Sequence, residues 1–178
     1  MGRNVIKRHQ FADYLNVNKS GEAEFVLMGV GFTTLDEEPG AQTETKKYVN
    51  EAASSKSITG YETVFPFESD FIKDEKAIIA LYNVGRNHLL GSEAEFDYVR
   101  VELWNTVEGQ ESEYTARKFV VSAEISEVSG ETDIQVSGNL NAVGDFVDGT
   151  FNTKTKTFTA KTDATTVVPE PEPEEPTN

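Results

Sequence analysis

Residues 116–142 read ARKFVVSAEISEVSGETDIQVSGNLNA, and the alternation in this stretch decides the architecture. Folded about Ser129-Gly130, a dipeptide suited to a hairpin turn, the arms set Phe119 opposite Leu140, Val121 opposite Gly138, Ala123 opposite Val136 and Ile125 opposite Ile134. The other face pairs Lys118 with Asn141, Val120 with Asn139, Ser122 with Ser137 and Glu124 with Gln135. A slip of the turn by two residues keeps both faces, because side chains along a strand alternate with period two. Arms of about twelve residues reach about 40 Å, roughly twice the usual strand length. A lone domain of this size has little use for so long a ribbon. An intermolecular sheet does.

Outward from the hairpin, the pattern stays mostly β. Tyr98–Trp104 reads as a strand with Val99, Val101 and Leu103 facing in and Arg100 and Glu102 facing out. A last hairpin joins Asp145–Phe151 to Thr157–Thr159 through Thr153–Thr155. Upstream, Glu24–Thr33 reads as one strand in which Gly29 and Gly31 mark a bulge or a close backbone approach. Thr34–Thr45 reads as a loop, broken at Asp36-Glu37-Glu38-Pro39-Gly40. Lys46–Val49 and Ile58–Phe67 are strand candidates around the small-residue loop Asn50–Ser57. One helix is expected over Asp74–Val84: Asp74 caps it, Ala77, Ile78, Leu81 and Tyr82 form its apolar stripe, and Gly85 ends it. Three segments follow: an N-terminal arm (1–23), a β-sandwich domain (24–160) and an acidic Pro-Glu tail (161–178), which has no means of burying a core.

The chain has 178 residues and no cysteine, which removes disulfides, thiolate zinc sites and a cysteine nucleophile together. No apolar run reaches transmembrane length. Sixteen Lys and Arg face thirty-one Asp and Glu, a formal charge of −15. Such a surface repels nucleic acid and anionic membrane. The basic residues of the first ten, Arg3, Lys7 and Arg8, have no acidic neighbour there. A basic arm on an acidic body suits a chain that docks head-to-tail on copies of itself.

Catalytic machinery does not emerge. His9 and His88 lack a carboxylate at a spacing that positions a base. Glu102 and Glu124 read as solvated strand faces, not as an acid/base pair in an aromatic-lined cleft. Asp145, Asp148 and Asn152 lack the alternating oxygens and final Glu of a calcium loop. Gly29-Val30-Gly31 is followed by no helix to hold a phosphate, and Trp104 reads as core or interface. No enzyme, metal or cofactor is expected.

Five stretches carry a resemblance: FADYLNV (11–17), LMGVGFTTLDEEPGAQTETKKYV (27–49), TGYETVFPF (59–67), IKDEKAIIALYNVGRNHLLG (72–91) and VSGNLNAVGDFVDGTFN (136–152). Together they resemble the major tail protein, or tail tube protein, of long-tailed phages of Gram-positive bacteria. The resemblance covers residues 1–160 and implies a mainly β tail tube fold, a sandwich or barrel flanked by one helix. It implies that six subunits join long hairpins into an inner barrel, and that rings stack into a hollow electronegative tube around a tape measure protein. Tail terminator and tail tip proteins are the further partners implied. DNA passes without specific binding, and the protein belongs to the virion after assembly in the host cytoplasm.

On that reading Ser122, Glu124, Gln135, Ser137 and Asn139 line the lumen. Phe119, Val121, Ala123, Ile125, Ile134, Val136 and Leu140 form the hairpin's core face. Arg3, Lys7, Arg8, Asp36, Glu37 and Glu38, with loops 34–45 and 50–57, meet the next ring. Two alternatives stand beside it: the inner tube of a contractile tail or related injection device, and a monomeric carbohydrate-binding or adhesion β-sandwich. The last needs exposed aromatics on one sheet, where the polar faces offer Ser, Asn and Glu.

Overall fold

A computed structural model describes residues 4–50 and 52–161. The fold is mainly β, a curled antiparallel sheet with one flanking helix. In chain order the strands are β1 (Phe11–Asn16), β2 (Phe25–Leu27), β3 (Phe32–Leu35), β4 (Ala41–Lys46), β5 (Ser55–Tyr61) and β6 (Val64–Asp70). Helix α1 (Lys76–Asn87) follows, then β7 (Glu95–Thr106), β8 (Glu113–Ser129), β9 (Gln135–Ala142), β10 (Val147–Asn152) and β11 (Thr157–Ala160). The main sheet runs β2-β1-β7-β8-β9-β6-β3, while β10 pairs with β8 and β11 with β10. Strands β4 and β5 form a separate hairpin.

The organising element is β8. Seventeen residues long, it spans about 55 Å at the usual rise. Its first part, Glu113–Lys118, takes β10 on one side, and its second part, Val121–Ser129, takes β9 on that same side. The two halves bury opposite faces. Under α1, Phe65, Phe67, Phe96, Tyr98, Phe119, Val121, Val136 and Leu140 form one core with the helix residues Ala77, Leu81 and Val84. On the reverse face Tyr14, Phe25, Val99, Val101, Ala116 and Phe151 form a second. Covering both faces of β7 explains the correction at Arg100. Val99 and Val101 face the second core, which leaves Arg100 pointing at the first; it is 6% exposed, not solvent-facing.

Several boundaries differ from those the sequence suggests. Phe11–Asn16, assigned to the arm, is the sheet strand between β2 and β7, because Tyr14 and Leu15 each fill one of the two cores. The single strand Glu24–Thr33 is two strands. Gly31 breaks it with φ 87°, and a Cβ there would lie 2.8 Å from Ile78 Cδ1. The loop 34–45 holds all of β4 but Lys46, and the loop 50–57 holds the start of β5; of the strand candidate Lys46–Val49 only Lys46 is strand, and Ile58–Phe67 is divided between β5 and β6. Helix α1 starts after Glu75 with no side-chain cap, so Asp74 does not cap it. Gly85 lies inside the helix and lets it approach β8, where a Cβ would meet Ile125 Cβ at 3.0 Å. His88, left-handed at φ 50°, makes the actual stop. The last hairpin pairs Phe151 with Phe158 and Asn152 with Thr157. Arg3 and residues 162–178 of the acidic tail lie outside the described residues.

Candidate self-assembly surfaces

The β8–β9 ladder pairs Val121 with Ala142, Ser122 with Asn141, Ala123 with Leu140, Glu124 with Asn139 and Ile125 with Gly138. This register is four residues from the one drawn about Ser129-Gly130, an even shift that keeps each side chain on its face up to Ile125. Beyond Ile125 a bulge intervenes, and Glu127 pairs with Ser137 and Ser129 with Gln135. Phe119, Val121, Ala123, Val136 and Leu140 are buried, and Ile125 is half-buried against the same core. Ile134 is not on this face. It precedes β9 and is 44% exposed, because the turn is longer than the sequence suggests.

The opposite face carries Ser122, Glu124, Gln135, Ser137 and Asn139 together. Cross-strand pairing adds Glu68 and Asp70 from β6, and Glu95 and Asp97 from β7. Asn141 Nδ2 donates to Glu124 Oε2 at 3.0 Å, and Gln135 Nε2 donates to Asp70 Oδ1 at 3.2 Å. Two lysines meet this surface: Lys118, 4.0 Å from Asp97, and Lys19, which lines one hollow with Glu95 and Asp97. The face is thus acidic and lined with short polar side chains.

This sheet has free margins. The β7–β8 ladder begins at Glu95 opposite Ser122, so Ala123–Ser129 has no strand partner on the β7 side among the described residues. At the far margin β3 pairs with β6 and has no strand on its outer side among the described residues, although Arg8 donates to the Leu35 carbonyl there. Every ladder from β8 through β9 and β6 to β3 is antiparallel. Strands β8 and β3 therefore run in opposite directions.

The ring-contact candidates divide. Lys7, Asp36 and Glu38 are exposed. Arg8 turns back into its own chain, donating from Nη2 to Asp13 Oδ2 at 2.6 Å and to the Leu35 carbonyl at 3.0 Å. Glu37 accepts two hydrogen bonds from Arg117, both at 2.8 Å, and lies 3.4 Å from Arg100 Nε. Its carboxylate is engaged within the chain, away from the role the loop reading gave it.

These residues belong to a buried ion cluster that sequence reasoning missed. Tyr98 Oη donates to Asp13 Oδ1 at 2.5 Å, and Arg100 Nη1 lies 3.8 Å from the same oxygen. Burial pushes the Tyr98 hydroxyl well above its ordinary 10.0, and the Asp13 carboxylate adds to the rise. Tyr98 therefore stays neutral in the folded chain while an unfolded copy ionises near pH 10. Its contribution to stability is whole below about pH 10 and is lost as pH climbs through the folded value. Denaturant melts between pH 8 and 11.5 are expected to show a steep alkaline fall that flattens in Tyr98→Phe. Equal slopes in the two proteins would sink that assignment.

Among the described residues no group of His, Asp and Glu is placed to hold a metal ion. His9 and His88 are exposed. Glu102 accepts from Asn105, Glu124 from Asn141, and Asn152 Oδ1 from the backbone of Lys154 and Thr155 in a turn. Trp104, 42% exposed, packs edge-on against Phe11. No helix of the described residues is long and apolar enough to cross a membrane.

No family model matches the sequence, and no curated protein sequence matches it. Among solved structures, the fold is similar to that of a chain in the tail of an empty GTA particle, computed with helical refinement and C6 symmetry. The match has TM-score 0.53 and 11% identity over 88% of this chain and 100% of that one. A chain of the six-fold symmetrised cryo-EM structure of the anti-feeding prophage (AFP) baseplate matches with TM-score 0.48 and 8% identity, over 86% of this chain and 99% of that one. At 11% identity the likeness to the GTA tail chain is one of fold.

Proposed function

We propose that this chain is a structural tail protein, the tube subunit of a phage-like, non-contractile tail, acting by self-assembly and not by catalysis. The observation that carries the reading is the strand edge at Ala123–Ser129, matched by a β3 edge of opposite direction that no other strand of the described residues covers. Antiparallel strands of neighbouring copies can meet there, so β8-β9-β6-β3 repeats around a ring as a closed barrel. Closure removes edges that otherwise invite random aggregation. The similar fold of a chain in a tail computed with C6 symmetry supports six copies per ring.

In that barrel the face bearing Ser122, Glu124, Gln135, Ser137 and Asn139 looks into the lumen. Its acidic residues keep DNA from the wall, and the tape measure protein occupies the bore before DNA does. Rings stack through the free β4–β5 hairpin together with Lys7, Asp36 and Glu38. Terminator and tip proteins cap the ends. The protein acts in the virion after assembly in the host cytoplasm. The inner tube of a contractile tail shares this construction and differs by a surrounding sheath.

Electron microscopy of the purified protein across a concentration series, beside its mass by light scattering, tests the proposal. Hollow tubes or stacked rings are expected. A chain that stays monomeric throughout and binds a sugar on a glycan array belongs instead to the carbohydrate-binding class. The lumen assignment has its own test. Glu124→Lys is expected to leave tube length unchanged but to slow DNA passage, and normal infectivity with that change would count against it.

A further inference from the structure

The strand register gives the acidic sheet two distinct ends. At one end β8 turns into β9 through residues 130–134; at the other, Val64 of β6 lies opposite Asn141 of β9. The β4–β5 hairpin leaves from this second end. Its root is held where Glu38 and Val64 exchange backbone hydrogen bonds of 2.8 and 2.9 Å, and where Glu62 N–H donates to the Gly40 carbonyl at 3.1 Å. Beyond that root every residue of β4 is exposed. A two-stranded hairpin alone is marginal in water, so this one calls for a covering surface.

The two ends are chemically complementary. The hairpin exposes Tyr48, Val49 and Ile58, and it carries Lys46, Lys47 and Lys56 against Glu44 and Glu51. It is thus slightly basic within a chain of charge −15. Glu44 is already engaged by Lys46 at 3.2 Å. The β8–β9 turn and the end of β8 that leads into it expose Val128 and Ile134 and carry Glu127, Glu131 and Asp133 with no basic residue. The sequence holds no Lys or Arg between Lys118 and Lys154.

We propose that the β4–β5 hairpin of one copy seats on the β8–β9 turn of a copy in the adjoining ring. This rests on the tube reading and names the stacking contact within it. Lys46, Lys47 and Lys56 face Glu127, Glu131 and Asp133, while Tyr48, Val49 and Ile58 cover Val128 and Ile134. A second copy is the occupant because one chain carries both halves at opposite ends of one sheet. Such a heterologous contact does not close on itself and propagates along an axis. Local attraction also answers the problem that copies of this charge repel one another. Salt weakens attraction and repulsion alike, so exchanging charges is the cleaner probe.

The chain has no cysteine, so introduced thiols report one contact each. With Thr45→Cys and Thr132→Cys in the full chain, a short bismaleimide is expected to give a ladder of dimers, trimers and higher species on a denaturing gel. Each single-cysteine chain should stop at dimer. Tubes visible by microscopy without that ladder would overturn the contact and leave the tube reading standing. A chain that is monomeric at every concentration, with no ladder, overturns both. In parallel, the triple variant K46E/K47E/K56E is expected to stop at single rings, with its circular dichroism unchanged. Mixing it with E127K/E131K/D133K should restore growth. Tubes of parental length from the lysine-reversed variant alone would also overturn the contact.

Discussion

Asp13→Ala is expected to lower the stability of the folded chain by about 3–5 kcal/mol, the usual cost of removing one partner from a buried ion pair. Asp13 is 1% exposed and receives three groups: Tyr98 Oη at 2.5 Å, Arg8 Nη2 at 2.6 Å and Arg100 Nη1 at 3.8 Å. Without it the Tyr98 hydroxyl is buried with no acceptor. Arg100, whose Nε and Nη1 already lack a hydrogen-bond partner, keeps only Glu37, which Arg117 also claims. For a chain of this size the loss corresponds to a melting point lower by about 10 °C. Arg8→Ala is the internal control: its side chain is 50% exposed, and an exposed partner contributes at most about 1 kcal/mol. A thermal melt of Asp13→Ala within a degree or two of the parent would show that the cluster does not hold β1 to β7.

The same cluster marks where sequence reasoning stopped. Alternation in 116–142 showed which hairpin side chains share a face, because burial enforces period two whatever the turn does. The register itself is not legible: the turn spans residues 130–134, and the bulge after Ile125 has no signature in the stretch SAEISEV (122–128). Residues 41–45 of β4 look like loop in the sequence because both faces of the strand meet solvent and no apolar periodicity arises. The alternation of its neighbours points Arg100 outward, a rule that holds only when one face of a strand is covered. Asp13, Glu37, Tyr98, Arg100 and Arg117 come from four separate stretches of chain, so no local pattern joins them. The one available hint was Asp13 itself, a charge inside the apolar run Phe11–Leu15. Exposed contact residues are the least legible, since pairing with another copy leaves no period in the sequence of one.

Gly138→Val is expected to separate β8 from β9 and to cost about 3 kcal/mol or more, at the upper end of what overpacking does. Gly138 sits at the centre of the sheet, opposite Ile125 of β8 and Phe67 of β6. A Cβ there would fall 2.0 Å from the Glu124 carbonyl oxygen, 3.0 Å from its carbon and 3.1 Å from Ile125 Cα. These are backbone atoms, so no rotamer change relieves the contact; the strands must move apart. The bulge begins directly after the Ile125–Gly138 pair, and beyond it Glu127 pairs with Ser137. Hydrogen exchange distinguishes this outcome from a general loss of stability. Amides of residues 121–129 and 135–142 are expected to lose protection while those of β10 and β11, which join the sheet at the other half of β8, keep theirs. Because the unpaired edge at Ala123–Ser129 belongs to the displaced segment, the proposed ring assembly predicts that the variant also fails to form rings. A Gly138→Val chain that keeps full protection over 121–129 would mean that the approach of β9 to β8 is dispensable, and rings closed by it would place the proposed seam between copies elsewhere.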